Sequence, residues 1–510
     1  MPLDHVHLER SLIESLALVV QRQPDRIAIA EAGRTLSYRQ LWRLVAGLAG
    51  AVAASHAPPG PVALLLRDGA MCAAALFAGI ITGRPCLALD RGHPPGRNAA
   101  LMQAAGAALV VVQRGDEAAH AAAHDCRLLA VDDAIPAADA VPSSLSSGLP
   151  LDAPAFILPT SGSTGQPKLV VHSQRTAAYR ANQRGDTARL TLDDRVMYCG
   201  GPPTSYSGMM HLLAQLRAGA GAHLIDVKQE GIRGLLHRLA DERITVLLAG
   251  TSLLRGVLSL PDAQRAVSHL RLVRTGGEAT LWSDVALLRS VLPPGCALET
   301  GYGATEATNL RWPIGSEAHG DAIRVPAGWP EAGGACLVVD DEGKPCPPGV
   351  PGELVVRSRY NALGEWRDGR CEPGRLIPDP ADPGQRIYFT GDLARQASDG
   401  AYVVLGRKDR QLNINGQRVE PMEIEAVIRE APGVQDAVVL ARTVDKATIL
   451  MAFVTARPGI GAGVADTVRQ ALQHRLPGHM VPARIDVMCE LPRLPGGKVD
   501  MVTLLARATA

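Results

Sequence analysis

The sequence predicts an α/β fold with a large N-terminal domain, which contains two α/β sheet subdomains and a β-barrel-like subdomain, followed by a small α+β C-terminal domain. Three observations predict this arrangement. Strand-like apolar runs alternate with helices over residues 61–113 and 196–274, and short β-like segments separated by Pro and Gly lie within 312–400. Residues 401–510 again combine strands and helices within the size of a compact module. The predicted domains are 1–405 and 406–510.

The first alternation predicts a parallel sheet with helical crossovers. The apolar run Ala70–Ile81 is too short to span a bilayer, and it predicts a buried helix. Residues 131–150 are rich in Asp, Ala, Pro, Ser and Gly and predict a loop. The other elements of this stretch are predicted as strands Pro61–Leu66, Cys86–Leu89 and Ala108–Gln113, and a helix Arg97–Ala105.

The later elements are predicted from the same patterns. The second alternation gives strands Val196–Cys199, Ala222–Asp226, Ile244–Leu248, Leu272–Arg274 and Cys296–Glu299, and helices Gly208–Ala218 and Gly231–Glu242. The barrel-like subdomain gives strands Cys336–Val339 and Glu353–Arg357. The C-terminal module gives a hairpin, helices Glu420–Glu430 and Val464–His474, and strands Val434–Ala441 and Thr448–Thr455.

The composition excludes several classes of protein. Lys and Arg total 52 against 51 Asp and Glu, so the chain has no net field to attract nucleic acid or an anionic membrane. The nine cysteines are scattered and none forms a C-x-x-C pair, which argues against a disulfide framework or a zinc site. The first ten residues carry acids and no early basic region, so we expect no signal peptide and a cytoplasmic protein.

A polar glycine loop between two apolar runs is the strongest local signal. Residues Leu158–Lys168 read L-P-T-S-G-S-T-G-Q-P-K. Hydroxyls, exposed backbone amides and a lysine are the groups that bind a polyphosphate, although a solvated hairpin loop has a similar composition. The loop is not a Walker motif, because Gly165 is followed by Gln-Pro-Lys. The candidate phosphate ligands are Thr160, Ser161, Gly162, Ser163, Thr164, Gly165 and Lys168.

Two further segments lie just beyond predicted strands, where open α/β sheets bind ligands. Glu299–Asn309 reads E-T-G-Y-G-A-T-E-A-T-N, in which Tyr302 would lie against a base and Glu306 would hold Mg²⁺. Arg274–Glu278 reads R-T-G-G-E, and its glycines would let backbone approach a purine. Taken alone, each is also compatible with a simple glycine turn.

Three later segments carry single candidate groups. Asp392, in Y-F-T-G-D-L, has the lone pairs to accept both hydroxyls of a ribose, although such a sequence is also typical of a β-turn. Arg407 lies in the charged stretch Gly406–Glu425, which also reads as a solvated linker. Lys498 follows a Pro-Gly-Gly turn in L-P-G-G-K-V-D, and a lysine there is by default an exposed surface residue.

Together these segments resemble the adenylate-forming enzymes, which include acyl-CoA synthetases, luciferases and nonribosomal peptide synthetase adenylation domains. Their order and spacing are similar to those of the family over nearly the whole chain. The resemblance extends to L-S-Y-R-Q-L at Leu36–Leu41, L-F-A-G-I-I-T-G-R-P-C-L-A-L-D from Leu76, G-E-L-V-V-R at Gly352–Arg357 and L-P-G-H-M-V-P at Leu476–Pro482. The last of these, with G-G-K-V-D, is most similar to a peptide synthetase adenylation domain.

The resemblance implies an enzyme that uses ATP and Mg²⁺ in two steps. A carboxylate attacks the α-phosphate and pyrophosphate leaves, and a thiol then takes the acyl group while AMP leaves. The implied catalytic residues are Lys498, Thr305 and Glu306, with Glu306 as the metal ligand. The implied ATP-binding residues, besides the glycine loop, are Gly276, Gly277, Glu278, Gly301, Tyr302, Gly303, Asp392 and Arg407. The small domain would be mobile and rotate about Asp409.

The segment that would choose the acid departs from the family. Amino-acid-activating domains carry Phe-Asp-x-Ser there, and Ser205 stands where the aspartate would bind an α-ammonium. A hydroxyl cannot compensate a buried ammonium, so we expect a small, partly polar acid without a free α-amino group. The implied pocket residues are Ser205, Tyr206, Met209, Thr251, Val273, Thr275, Gly301, Asn309 and Leu310.

The acceptor thiol is left open between two partners. No segment after Lys498 resembles a carrier domain and none before the enzyme resembles a condensation domain, so we expect a free-standing enzyme. Its acceptor would be a separate carrier protein or CoA, with the carrier favoured by the terminal motifs. An enzyme that passes the acyl group to another acceptor and an inactive, binding-only relative are the alternatives.

Overall fold

The computed structural model describes most of the chain. The described residues are 10–507 apart from 32, 67–68, 117–125, 133–147, 161–167, 308–309, 316–322, 409–411, 415–416, 420, 445–446, 458–462, 477 and 494–498. Within them, no helix combines the length and apolar character needed to cross a membrane.

The first sheet has eight strands and confirms the parallel core predicted around residues 61–113. Five strands pair in parallel, and the glycine-loop strands add an antiparallel edge. Every residue of the predicted helix Ala70–Ile81 is buried, which confirms that prediction, and the second helix is Pro95–Ala105. In spatial order the strands are Arg370–Glu372, Gly364–Arg367, Lys168–Ser173, Pro154–Thr160, Cys86–Ala88, Val62–Leu65, Leu109–Gln113 and Arg127–Val131.

The second sheet has nine strands and contains the second predicted alternation. Its spatial order is Trp329–Pro330, Leu310–Pro313, Ala297–Tyr302, Leu272–Gly276, Val246–Ala249, Arg195–Tyr198, Gly221–Leu224, Ile27–Glu31 and Arg34–Ser37. The helices associated with this part of the chain are Leu12–Arg22, Tyr38–Ala54, Gln174–Thr187, Tyr206–Ala218, Val227–Asp241, Thr251–Leu258, Ala263–Ala266 and Trp282–Val291. The hairpin Ile27–Ser37 and the helix Gln174–Thr187 were not predicted from the sequence.

The third sheet is antiparallel and has five strands, at the place of the predicted β-rich subdomain. Its strands are Gly334–Val339, Gly352–Ser358, Asp382–Gln396 and Leu376–Asp379 in spatial order, with Tyr402–Arg407 paired to Asp392–Gln396. The sequence assigned residues from 401 onward to the C-terminal module. The strand Tyr402–Arg407 instead belongs to this sheet, because its alternating residues pair with the long strand before it. It passes through the predicted boundary at 405 and 406, which stays a prediction.

The C-terminal part is the α+β module that the sequence predicts. A short hairpin, Leu412–Ile414 with Gln417–Val419, precedes a three-stranded sheet of Val434–Val444, Ala447–Ala456 and Arg484–Met488. The helices are Pro421–Glu430, Val464–Arg475 and Met501–Arg507, with a 3₁₀ turn at Gly478–Met480. Apolar residues of the first two helices and of the sheet form one core of their own. Such a core is typical of a separate domain.

Candidate active site

Two neighbouring strand ends of the second sheet bring the predicted purine segments together. Leu272–Gly276 and Ala297–Tyr302 are parallel and in register, so Gly276 lies opposite Gly301. A Cβ on Gly301 would come 3.1 Å from the carbonyl oxygen of Leu310, and Gly277 has a φ of +82°. Side chains other than glycine would therefore crowd or strain this edge. The arrangement leaves bare backbone at the carboxyl edge of the sheet, and Gly303 follows in the next loop.

Three predicted nucleotide ligands from distant parts of the chain meet beside this edge. The phenol of Tyr302 donates a hydrogen bond to the Asp392 carboxylate. Arg407 lies with Nη1 3.3 Å from Asp392 Oδ1 and donates to the carbonyl oxygen of Thr390 at 2.9 Å. Burial, with the Asp392 charge as the next cause, holds the pKa of Tyr302 well above its usual value, so the phenol keeps its proton. The cluster offers one carboxylate, one guanidinium and one aromatic ring to a ligand.

The Thr305–Glu306 loop is held from two sides. His172 Nε2 lies 2.9 Å from the carbonyl oxygen of Thr305, and the amide of Ala362 donates to the carbonyl oxygen of Glu306 at 2.9 Å. The Tyr388 hydroxyl interacts with the Glu306 carboxylate, and burial followed by that charge raises the pKa of Tyr388. Backbone anchoring of this kind leaves the Thr305 hydroxyl and the Glu306 carboxylate on a fixed loop.

His172 is a neutral connector that the sequence analysis missed. Its ring is fully buried and stacks on Tyr206 with centroids 5.1 Å apart, and its Nδ1 lies 3.2 Å from Thr176 Oγ1. Since Nε2 faces a carbonyl oxygen, Nε2 carries the proton and donates. Burial, with the Arg180 charge as the next cause, lowers the pKa of His172 to about 3. One imidazole thus joins the strand after the glycine loop, the Thr305 loop and the predicted acid pocket.

The protonation of His172 makes a prediction for stability. The folded pKa of about 3 lies below the unfolded value near 6.5, so the unfolded chain binds the proton first as the pH falls. This one group should lower the free energy of unfolding by about 1.4 kcal/mol per pH unit between pH 6 and pH 4. In urea unfolding at pH 4, 5, 6 and 7, His172→Gln should lose that share of the slope. The buried His211, whose pKa is also depressed by burial, keeps its own share.

The exposed His474 supplies the control for this measurement. His474→Gln should leave the pH slope of unfolding unchanged. A wild-type slope in His172→Gln would mean that the folded protein already holds a proton on the His172 ring, which would contradict the neutral connector.

The two ends of the glycine loop are adjacent in the first sheet. Thr160 lies opposite Lys168 in the antiparallel pair, and Lys168 Nζ lies 3.6 Å from the buried Glu365 Oε1. Glu365 also accepts from Arg367 Nη2 at 2.6 Å. The loop ligands Ser161, Gly162, Ser163, Thr164 and Gly165 lie outside the described residues, as do Asn309, Asp409 and Lys498.

The predicted acid-pocket residues mark a junction between cores. Met209, Val273 and Leu310 are buried in three different hydrophobic clusters. Thr251 and Thr275 both contact the Thr280 hydroxyl, at 3.3 Å and 2.8 Å, and Thr280 contacts Thr300 at 3.1 Å. This chain of buried hydroxyls satisfies its own hydrogen bonds, so it supplies polarity without charge.

Ser205 and Glu278 have local structural partners. Ser205 caps the helix Tyr206–Ala218: its Oγ accepts from the Gly208 amide at 3.1 Å and donates to the Pro202 carbonyl at 2.7 Å. A cap of this kind contributes about 1 kcal/mol to helix stability. Glu278, predicted as a nucleotide ligand, accepts from the amide and the hydroxyl of Ser252 at 2.6 Å and 2.9 Å. Its carboxylate anchors the turn into the helix Thr251–Leu258.

Two buried arginines beside the pocket were also missed. Arg180 and Arg184 lie on the helix Gln174–Thr187 and are 0% and 7% exposed. Their spacing of four residues, shared with the buried Ala177, places them on one helical face. That periodicity is readable in the sequence, but arginine is ordinarily a surface residue, so the signal favours the opposite assignment.

Comparison with known proteins identifies the family. Residues 16–366 match the AMP-binding enzyme family, and residues 423–498 match the AMP-binding enzyme C-terminal domain. The chain therefore belongs to the AMP-binding enzymes and is an enzyme of the adenylating-ligase type. The resemblance inferred from the glycine loop and its companion motifs is confirmed.

Similar proteins include large peptide synthetases. The chain is 32% identical over 492 residues to a plipastatin synthase of Bacillus subtilis, which covers 95% of this chain and 19% of that protein. It is 33% identical over 497 residues to phosphinothricin tripeptide synthetase PhsC of Streptomyces viridochromogenes, covering 95% of this chain and 44% of that one. The chain thus spans less than half the length of these relatives.

Solved structures share the fold. The anthranilate CoA ligase AuaEII in complex with anthranoyl-AMP matches with a TM-score of 0.85 at 20% identity, over 98% of each chain. The four-domain nonribosomal peptide synthetase AB3403, bound to AMP and glycine, matches with a TM-score of 0.82 at 25% identity, over 97% of this chain and 36% of that one. The first match, at its low identity, establishes the architecture alone.

Proposed function

We propose that this chain activates a small carboxylic acid with ATP as the acyl-adenylate, releases pyrophosphate, and passes the acyl group to the phosphopantetheine thiol of a carrier protein in natural-product biosynthesis. The observation that carries the proposal is the meeting of Tyr302, Asp392 and Arg407 beside the bare backbone edge of the second sheet. Family membership and the peptide synthetase relatives support the same reading.

The nucleotide site has the groups that the first step requires. Asp392 would accept the ribose hydroxyls and Arg407 would contact the ribose or the α-phosphate, since both lie within one cluster. Glycines 276, 277 and 301 would let backbone reach the purine. Glu306 would hold Mg²⁺ together with phosphate oxygens and waters. Among the described residues there is no group of three or more possible metal ligands, which fits an ion that takes few carboxylates.

The chemistry needs positioning and charge neutralisation more than it needs a base. A substrate carboxylate is already ionised near neutral pH, so the obstacle is the approach of two anions. Thr305 would bond the α-phosphate, and Lys498 would stand between the carboxylate and the phosphate. Rotation of the C-terminal domain about Asp409 would then withdraw Lys498 and present another face for the thiol.

A pyrophosphate-exchange panel tests the proposal. Purified protein is incubated with ATP, Mg²⁺, labelled pyrophosphate and single acids, and exchange above the no-acid control is expected for at least one acid. A carrier protein bearing phosphopantetheine, or CoA, is then offered as the acceptor. Exchange with no acid in the panel would overturn the proposal, and transfer to CoA alone would reassign the acceptor.

Lys168 gives a prediction for the first step. Lys168→Ala should lower kcat/KM for ATP in pyrophosphate exchange by about 10- to 100-fold, because one charge-assisted contact to the departing phosphates is lost. Transfer from supplied acyl-adenylate should change much less, since pyrophosphate is absent from that step. Lys344→Ala, at an exposed position, is the matched control. Equal losses in the two half-reactions would contradict the assignment of Lys168 to the departing phosphates.

A further inference from the structure

Arg180 is a buried cation without a hydrogen-bond partner. It is 0% exposed, and its Nε, Nη1 and Nη2 are all buried and unpaired in the part of the chain that the structure describes. A guanidinium has five N–H donors, and leaving them unfilled in a dry environment is strongly unfavourable. Proteins rarely keep such a group unless a ligand completes it.

The groups around Arg180 leave the region positively charged. Arg184 lies one turn further along the helix, with its guanidinium carbon 5.6 Å from the centre of the Tyr206 ring. The nearby carboxylate is Glu331, which acts on Arg180 through space but makes no hydrogen bond with it. His172, close to both arginines, is neutral. Two cations thus face one carboxylate.

This charge lies beside the predicted acid pocket. Tyr206 follows Ser205, stacks on His172 and has a hydroxyl that is buried without a partner. Burial lowers the pKa of Arg180, and the Tyr206 phenol is the next influence on it. The unpaired phenol and guanidinium are therefore neighbours, and together they offer a set of donors with no acceptor among the described residues.

We propose that Arg180 and the Tyr206 hydroxyl bind a second carboxylate at the far end of the acid, so that the preferred substrate is a dicarboxylic acid. The inference rests on the proposed function and adds the substrate class to it. Planar guanidinium and carboxylate groups pair through two parallel hydrogen bonds, and burial strengthens that pair. Ser205 fits the same preference, because the aspartate that would attract an ammonium is replaced by a helix-capping hydroxyl.

The test compares matched acids in pyrophosphate exchange. Aliphatic dicarboxylic acids of three to six carbons and benzene dicarboxylic acids are each run against their own monoamide, which keeps the shape and removes the distal charge. The wild-type protein should favour the diacid of the best pair by about 100-fold or more in kcat/KM, since a site built for a charged acceptor rejects a neutral isostere. This comparison needs no variant.

Variants then assign the preference to Arg180. Arg180→Met should abolish the preference for the diacid and improve use of the monoamide, whereas Arg180→Lys should retain part of it. Arg175→Met, on the same helix and paired with Asp152, should leave the preference unchanged. The melting temperature of Arg180→Met without substrate should equal or exceed that of the wild type, because an unpaired buried charge has been removed.

The outcomes separate the two proposals. Exchange that favours the monoamides or simple monocarboxylic acids would overturn the dicarboxylic assignment and leave acid activation standing. A preference for diacids that survives in Arg180→Met would also overturn it. A lower melting temperature in Arg180→Met, with an unchanged preference, would show that Arg180 is structural. Absence of exchange with every acid would defeat the proposed function itself.

Discussion

Lys498→Ala should abolish acid-dependent pyrophosphate exchange, with a loss of about 1,000-fold or more, because no other cation is assigned to the space between the carboxylate and the α-phosphate. The two reacting groups are both anions, so removal of this charge restores their repulsion at the moment of attack. Once the adenylate exists, that repulsion is gone. Transfer of the acyl group from supplied acyl-adenylate to the thiol should therefore proceed within about threefold of the wild-type rate.

The experiment needs both half-reactions measured on the same preparation. Lys228→Ala, at an exposed position on the helix Val227–Asp241, controls for the general effect of removing a lysine. If Lys498→Ala lowered exchange and transfer equally, the residue would act in both steps and the proposed division of labour would fail. If exchange were unaffected, the carboxylate would be neutralised by another group.

Asp392→Asn should weaken ATP use by roughly 30- to 300-fold in kcat/KM, since one member of a buried, charge-assisted hydrogen-bond cluster is lost. The amide keeps one acceptor oxygen but replaces the other with a donor, so it cannot accept both ribose hydroxyls. The Arg407 guanidinium, 3.3 Å from Asp392 Oδ1, also loses its counter-charge. Stability should fall by only about 1 kcal/mol, because Arg407 is partly exposed.

A comparison of nucleotides locates the effect of Asp392→Asn. The wild-type enzyme should discriminate against 2′-deoxy- and 3′-deoxy-ATP, and the variant should lose most of that discrimination. Asp382→Asn, at the other end of the same long strand, tests whether any aspartate on the strand has this effect. Unchanged discrimination in Asp392→Asn would show that its carboxylate serves Tyr302 and Arg407 and does not contact the ribose.

The nucleotide side of the site was largely predictable from the sequence. Glycines after apolar strands, and an aspartate in a turn, are local patterns whose meaning does not depend on distant residues. The structure brings Tyr302, Asp392 and Arg407 together as the motif order implied. Whether these residues bind ATP stays a prediction that the nucleotide comparison will test.

The acid side was less predictable, for a physical reason. His172 and Thr305 are 133 positions apart, so their contact exists only once two sheets have packed. Arg180 lies on a helix whose polar composition suggests solvent, and only tertiary burial shows that its charge is unpaired. Ser205 was correctly singled out, but its role as a helix cap required the backbone geometry.

The facing glycines 276 and 301 separate two kinds of evolutionary change. Residues paired across neighbouring strands point to the same side of a sheet, so this edge is shaped by main-chain atoms. A main-chain surface has no rotamers to vary and few substitutions to explore, whereas the wall near Tyr206 and Arg180 consists of replaceable side chains. Redesign of this enzyme for a new acid can therefore proceed on the helix Gln174–Thr187 while the nucleotide floor stays constant.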